Sequence, residues 1–280
     1  MDKNQLTALI TSFLREDIGR GDLTSESIFT PEETGTARLV ARESLIAAGV
    51  TTIAAAVFET QNTAVSWRGA VADGTKVKSG DIMLTVTGPV IDLLKAERVA
   101  LNLLQRATGI ASQTAAFVER VRGYPVRICD TRKTTPGLRA LEKYAVTVGG
   151  GSNHRFNLTD GILIKDNHIA ACGSIKKAVQ RVRKKVPHTI RIEVETDTIE
   201  QVRCCLDCGV DIIMLDNMSI ETMTKAVKLI NKQALVEASG GISLETVRDV
   251  ARTGVDIISV GALTHSAPAC DIGMDWLLKR

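Results

Sequence analysis

Aromatic residues are scarce in this 280-residue chain, 3% in all, with two Trp, two Tyr and five Phe. The core must therefore be aliphatic, and stacking platforms for single-stranded nucleic acid are excluded. No apolar stretch reaches the roughly 18 residues that a membrane-spanning helix needs. No run of Lys and Arg is long enough for a duplex-binding stripe, and the net charge is only +3. The opening MDKNQLTALITSFLREDIGRGD carries charges throughout and reads as an amphipathic helix rather than a signal peptide, so the expected location is cytoplasmic. The six cysteines, Cys129, Cys172, Cys204, Cys205, Cys208 and Cys270, follow no regular framework, which fits reduced thiols. Cys205 and Cys208 have C-x-x-C spacing, but they lie in a helical pattern ending at Gly209 with no second Cys/His pair nearby. Packed thiols are expected there, not a zinc or redox site.

The remaining composition, 44% hydrophobic and 24% charged, is that of a globular enzyme of one or two domains. Residues 34–90 mix strand-like runs with one helix. TARLVARES is followed by the helical TTIAAAVFETQ, then by AVSWRGAVADGTKVKSGDIMLTVTGPV with turn signals at Asp73-Gly74 and Ser79-Gly80. This meander resembles the hammerhead strands of biotinyl and lipoyl domains in architecture only, since no lysine sits at an exposed turn. LLKAERVALNLLQRATGIASQTAAFVERVRG predicts a long helical region that Gly109 interrupts and Gly123 ends. Thereafter short aliphatic strands (VRICD, GILIKD, TIRIEVE, DIIMLDN, ALVEASGG, DIISVGA) alternate with helical patterns. That alternation predicts a parallel α/β sheet. Chemically active residues recur at the C-terminal end of each strand, which favours a (β/α) barrel over an open doubly wound sheet.

Three constellations stand at those strand ends. Residues 130–169 gather Arg132, Lys133, Arg139, Lys143, His154, Arg155 and Lys165 with few carboxylates to neutralise them. A basic surface loop is one reading; a pocket for a small molecule with several negative charges is the favoured one. Ser239-Gly240-Gly241 ends one strand before a helical pattern, and Gly261 ends the next. Paired glycine loops with a helix N-terminus suit a phosphate group. Glu193 and Glu195 share one strand face, and Asp216 ends the following strand. These acids suit Mg²⁺ ligation, ribose hydroxyls or a cationic transition state, with salt bridges to neighbouring cations as the plainer alternative. Lys165 suits either a Schiff base or a counter-charge. His154 is expected to bond a ligand, His168 is open between orienting its neighbours and packing, and His188 and His265 read as surface or loop residues.

Taken in order, REDIGRGDLT, ERVALNLLQRATGIAS, DTRKTTPGLRALEKYAVTVGGGSNHRFNLTDGILIKDNHI, EVE, LDN, EASGGI and SVGALTHSAPA resemble the quinolinate phosphoribosyltransferase family over nearly the whole chain. The resemblance implies an N-terminal α/β sandwich (residues 1–105, joined by the tail 271–280) and an open (β/α) barrel (residues 106–270). It implies a homodimer in which one subunit's N-terminal part covers its partner's barrel mouth, with Arg98 supplied across the interface. The implied reaction joins quinolinate to 5-phosphoribosyl-1-pyrophosphate with Mg²⁺ and no organic cofactor, giving nicotinate mononucleotide, pyrophosphate and CO₂. By the same resemblance Arg132, His154 and Arg155 hold the diacid, Lys133 and Lys165 add charge near it and the pyrophosphate, and Thr131 is a further substrate-binding residue. Glu195 and Asp216 serve the ribose and its Mg²⁺, with Glu193 in a weaker role. Ser239, Gly240, Gly241 and Gly261 grip the 5′-phosphate, Val260 and Ala262 are further substrate-binding residues, and Lys133, Glu195 and Asp216 are the expected catalytic groups. Two alternatives stand beside this reading. A molybdenum-transport-associated branch of the fold is expected to lack an uninterrupted DTRKTTPG and SNHR. A non-catalytic sensor has no need of acids at the ribose.

Overall fold

The computed structural model describes residues 2–277. The chain forms two compact units: Met1–Ala115 with Thr135–Gly150 and Ser266–Arg280, and Ala116–Thr134 with Gly151–His265.

The first unit opens with α1 (Lys3–Ile18), capped by Asp2, whose side chain accepts the Gln5 N–H. Leu6, Ile10 and Leu14 are buried at i, i+4 and i+8, the spacing that puts them on one face. A short α2 (Leu23–Ile28) follows under an Asp22 cap. Strands β1 (Thr34–Ala41), β2 (Leu45–Ile46), β3 (Ser66–Arg68), β4 (Lys76–Val77) and β5 (Ile82–Pro89) form the meander. In the main sheet β1 pairs antiparallel with β5 and with the C-terminal strand Ile272–Trp276, and β3 pairs with β5. The expected turns are where the sequence puts them, with Gly74 and Gly80 left-handed at φ 82° and 91°.

Two local expectations need correction. The helix expected from TTIAAAVFETQ winds as a π-helix over Val50–Ala55 before α3 (Ala56–Gln61), because the Gly49 carbonyl accepts both the Ile53 and Ala54 N–H groups. Gly109 does not interrupt the long helix: α4 runs unbroken over Val90–Arg120. Its missing side chain is used for packing instead, since a Cβ there would stand 1.9 Å from the Pro268 carbonyl oxygen. α5 (Arg139–Val148) completes this unit.

The second unit is a parallel sheet of six strands: β6 (Arg127–Cys129), β7 (Ile162–Ile164), β8 (Ile192–Thr196), β9 (Ile212–Asp216), β10 (Leu235–Ser239) and β11 (Ile257–Ser259), in the order β6-β11-β10-β9-β8-β7. A single bridge from Cys129 to Ser152 extends the wall beyond β6. Among the described residues β7 has no second neighbour, so the barrel is open between Ser152 and β7. Between the strands run α6 (Asp166–Cys172), α7 (Ile175–Arg183), α8 (Ile199–Cys208), α9 (Ile220–Ile230), α10 (Val247–Arg252) and α11 (Ala262–His265). The strands split their residues by parity. Val194, Ile213, Leu215, Val236, Ala238 and Ile258 make a buried aliphatic layer, whereas Glu193, Glu195, Met214, Asp216, Glu237, Ser239 and Ser259 take the opposite, inner face. One face builds the core and the other builds the site.

Candidate active site

A cavity of about 590 Å³ lies at the C-terminal ends of the barrel strands. Thr131, Arg132, Lys133, His154, Arg155, Lys165, Glu195, Asp216, Ser239, Gly240, Gly241, Val260, Gly261 and Ala262 all line it. Arg98 does not: it is exposed on α4, in the first unit. Two cations of the basic segment also lie elsewhere. Arg139 and Lys143 belong to α5, and Lys143 is wholly buried there.

At one end of the cavity two guanidiniums stand close together. Burial and the nearby Arg132 both push the Arg155 guanidinium below its ordinary basicity. Arg132 Nε is buried without a hydrogen-bond partner among the described residues. Arg155 donates one bond to the Gly161 carbonyl at 3.0 Å, just before β7. Two half-buried cations, with Glu193 and Asp160 offsetting only part of their mutual repulsion, leave positive potential for an incoming anion to neutralise.

The segment between them is held from below. Buried Asp130 accepts from Asn153 Nδ2 at 2.6 Å and from the His154 N–H at 2.8 Å. His154 Nδ1 accepts the Arg155 N–H, so Nε2 faces Glu193 at 3.2 Å and Glu237 at 3.6 Å. Glu237 also accepts from the Ser259 hydroxyl at 2.5 Å. Burial, then the charge of Glu193, pushes the Glu237 carboxyl up to about 7. Its protonated form can donate a hydrogen bond to Glu193.

Acids line the same cavity. Glu195 is raised chiefly by burial and further by Asp216, while Lys165, 3.4 Å from it, works the other way. An ammonium paired with a carboxylate in a half-exposed position is not the apolar or cationic setting a Schiff-base lysine needs, which removes that alternative. His168 resolves as an orienting residue: its Nδ1 accepts the Lys165 N–H at 3.0 Å and caps α6.

The glycine loops adjoin these acids. Gly240 and Gly241 are left-handed at φ 95° and 60°, a conformation glycine adopts without strain. The helix expected directly after them begins only at Val247, so its dipole is not at the loop. α11, by contrast, starts immediately after Gly261. Lys133 is fixed from behind: its N–H donates to Thr131 Oγ1 and its carbonyl accepts from Thr264.

Several lining residues were not anticipated. Glu237 and Ser239 stand two apart, as Glu193 and Glu195 do, so the same parity rule could have found Glu237. His265, read as a surface or loop residue, lines the cavity beside Gly261. Nothing in its local pattern signals this.

Residues 22–108 match the N-terminal domain of quinolinate phosphoribosyl transferase, and residues 110–275 match its C-terminal domain. The chain belongs to the quinolinate phosphoribosyltransferase family. Probable nicotinate-nucleotide pyrophosphorylase (carboxylating) of Bacillus subtilis is 47% identical over 280 residues, 100% of this chain and 96% of the relative. Nicotinate-nucleotide pyrophosphorylase (carboxylating) of Mycobacterium leprae is 44% identical, covering 94% of both chains. The crystal structure of nicotinate-nucleotide pyrophosphorylase from Ehrlichia chaffeensis superposes with a TM-score of 0.92 at 43% identity, over 97% of this chain and 98% of that one. The architecture implied by the family resemblance, an open (β/α) barrel and a separate N-terminal α/β domain, is the one found.

Proposed function

We propose that the protein transfers the phosphoribosyl group of 5-phosphoribosyl-1-pyrophosphate to quinolinate with decarboxylation, as a step of NAD biosynthesis. The products are nicotinate mononucleotide, pyrophosphate and CO₂. The observation that carries this reading is the division of one cavity into two chemistries. Paired guanidiniums at Arg132 and Arg155 suit adjacent aromatic carboxylates, whose planar oxygens accept bidentate bonds. The acids Glu195 and Asp216, with the left-handed Gly240 and Gly241 in the same lining, suit a ribose bearing phosphate.

The chemistry follows from that division. The C1–O bond of the ribose breaks with its electron pair leaving on pyrophosphate, and the pyridine nitrogen bonds to C1. Glu195 and Asp216 stabilise the positive charge that builds on the sugar ring, and Lys133 and Lys165 offset the charge of the leaving group. The alkylated pyridinium then draws in the electron pair left when the adjacent carboxylate departs as CO₂, and that carbon takes up a proton. Holding both substrates at fixed orientation supplies much of the remaining advantage.

Mg²⁺, arriving with the sugar diphosphate, fits the oxygen donors of Glu195 and Asp216, whose mutual repulsion contributes to the raised Glu195 carboxyl. Its chemistry there is to neutralise charge on the pyrophosphate. No organic cofactor is required. The working form is a homodimer with Arg98 reaching the partner's cavity, and the compartment is the cytoplasm. Among the described residues no helix is long and apolar enough to cross a membrane.

The test is pyrophosphate release measured with both substrates and with each alone. Release that needs both supports the reading; release without quinolinate, or none at all, overturns it. The sensor alternative is disfavoured because Glu195 and Asp216 line the cavity.

A further inference from the structure

Asn217 is the first residue after β9, and its backbone is left-handed at φ 53°. It is not glycine, and asparagine tolerates this region better than most side chains but at some cost. The parallel pairing of β9 with β10 ends at Asp216 and Ser239. One more bond follows, from the Asn217 N–H to the Ser239 carbonyl at 3.0 Å, and both chains then turn away. The Asn217 side chain faces two ways. Its Nδ2 donates to Asp216 Oδ2 at 2.7 Å. Its Oδ1 crowds Gly240, where an added Cβ would lie 2.3 Å away.

A glycine at position 217 would satisfy the backbone with less strain and leave Gly240 more room. The side chain is therefore retained for something other than the turn. What it does is join two parts of the cavity that come from different strands: the acid that ends β9 and the glycine loop that ends β10. With Oδ2 occupied by the amide, the Asp216 carboxylate is held at a fixed rotation and presents Oδ1. With Oδ1 of the amide packed on Gly240, the loop is held at a fixed distance from that acid.

We propose that Asn217 is a positioning residue for the sugar-diphosphate half of the cavity, setting the spacing between Asp216 and the Gly240 loop to the length of a phosphorylated ribose. This rests on the functional reading above and extends it to a residue that carries no charge and needs no contact with the reacting atoms. The diacid half, built on Arg132 and Arg155, is independent of it.

The experiment compares Asn217→Gly and Asn217→Ala with the parent enzyme. Glycine removes the amide and relieves the backbone; alanine removes the amide and leaves the left-handed cost. The expected result is that both raise the KM for the sugar diphosphate by about 10-fold or more, the loss of one charge-assisted bond, while the KM for quinolinate stays within about 2-fold. A parallel titration uses ribose 5-phosphate and benzene-1,2-dicarboxylate as separate probes, so that binding is read without turnover. Both variants should lose affinity for the first probe and keep it for the second. An Asn217→Gly protein indistinguishable from the parent overturns the proposal and makes position 217 a backbone requirement only. Equal losses for both substrates overturn it too, because they report a general disturbance of the barrel. A parent protein that neither turns over nor binds ribose 5-phosphate instead overturns the functional reading itself.

Discussion

At the scale of single residues the cavity is a study in buried charge. Arg132 and Arg155 are costly to keep together without an anion, and their geometry suits planar carboxylates. Arg132→Lys keeps the charge and loses the fork. We expect the KM for quinolinate to rise by about 10- to 100-fold with little change for the sugar diphosphate. An unchanged quinolinate KM would show that Arg132 does not hold the diacid. Glu237 gives a prediction in pH. An acid raised from 4.5 to about 7 holds its proton more tightly folded than unfolded. Its favourable contribution is complete below 4.5 and is lost as pH rises towards about 7. Glu237→Gln removes that loss, so its melting temperature should gain on the parent's across this window, by at most about 3 kcal/mol of stability. Thermal melts at about pH 5 and about pH 8 check it, and an offset that stays constant sinks it. The strand-end acids Glu195 and Asp216 were legible from spacing alone. Glu237 obeys the same rule but sits beside two glycines with a more obvious use.

At the scale of elements, the barrel strands were readable because each is a short aliphatic run ending in polar residues. α5 and α6 were not. In α5 the buried charges Glu142 and Lys143 interrupt the apolar stripe, and in α6 Lys165, Asp166 and His168 answer to the cavity and to capping rather than to such a stripe. Gly109 misled for a related reason: it reads as a helix breaker, yet the structure uses it for close approach. Gly109→Ala should therefore destabilise the fold by about 1–3 kcal/mol, although alanine is the better helix former. A melting temperature at or above the parent's would mean that the Pro268 segment moves aside freely. In α8, burial raises the Cys205 thiol to about 12. Alkylation of the native protein at neutral pH should spare Cys205 while modifying the partly exposed Cys172. Equal labelling of the two would contradict the packed arrangement.

At the scale of the whole molecule, sequence motifs pointed to the family and its two-part architecture before any coordinate did. The sharing of a site between two copies of the chain is a matter for assembly. Arg98 is exposed on α4. Inactive Arg98→Ala and inactive Lys133→Ala proteins, refolded together, should recover part of the activity, since mixed dimers contain one intact site. Absence of recovery in proven mixed dimers means that Arg98 does not act across the interface.

The unclosed wall between Ser152 and β7 has a consequence for how this enzyme can change. Beside that opening the Arg155 guanidinium donates to the Gly161 carbonyl just before β7, and that same group lines the cavity where the proposed reading puts the aromatic acid. Recognition and masonry thus share one side chain. A descendant selected for a different acceptor could not simply discard Arg155; it would first have to mend the breach by other means.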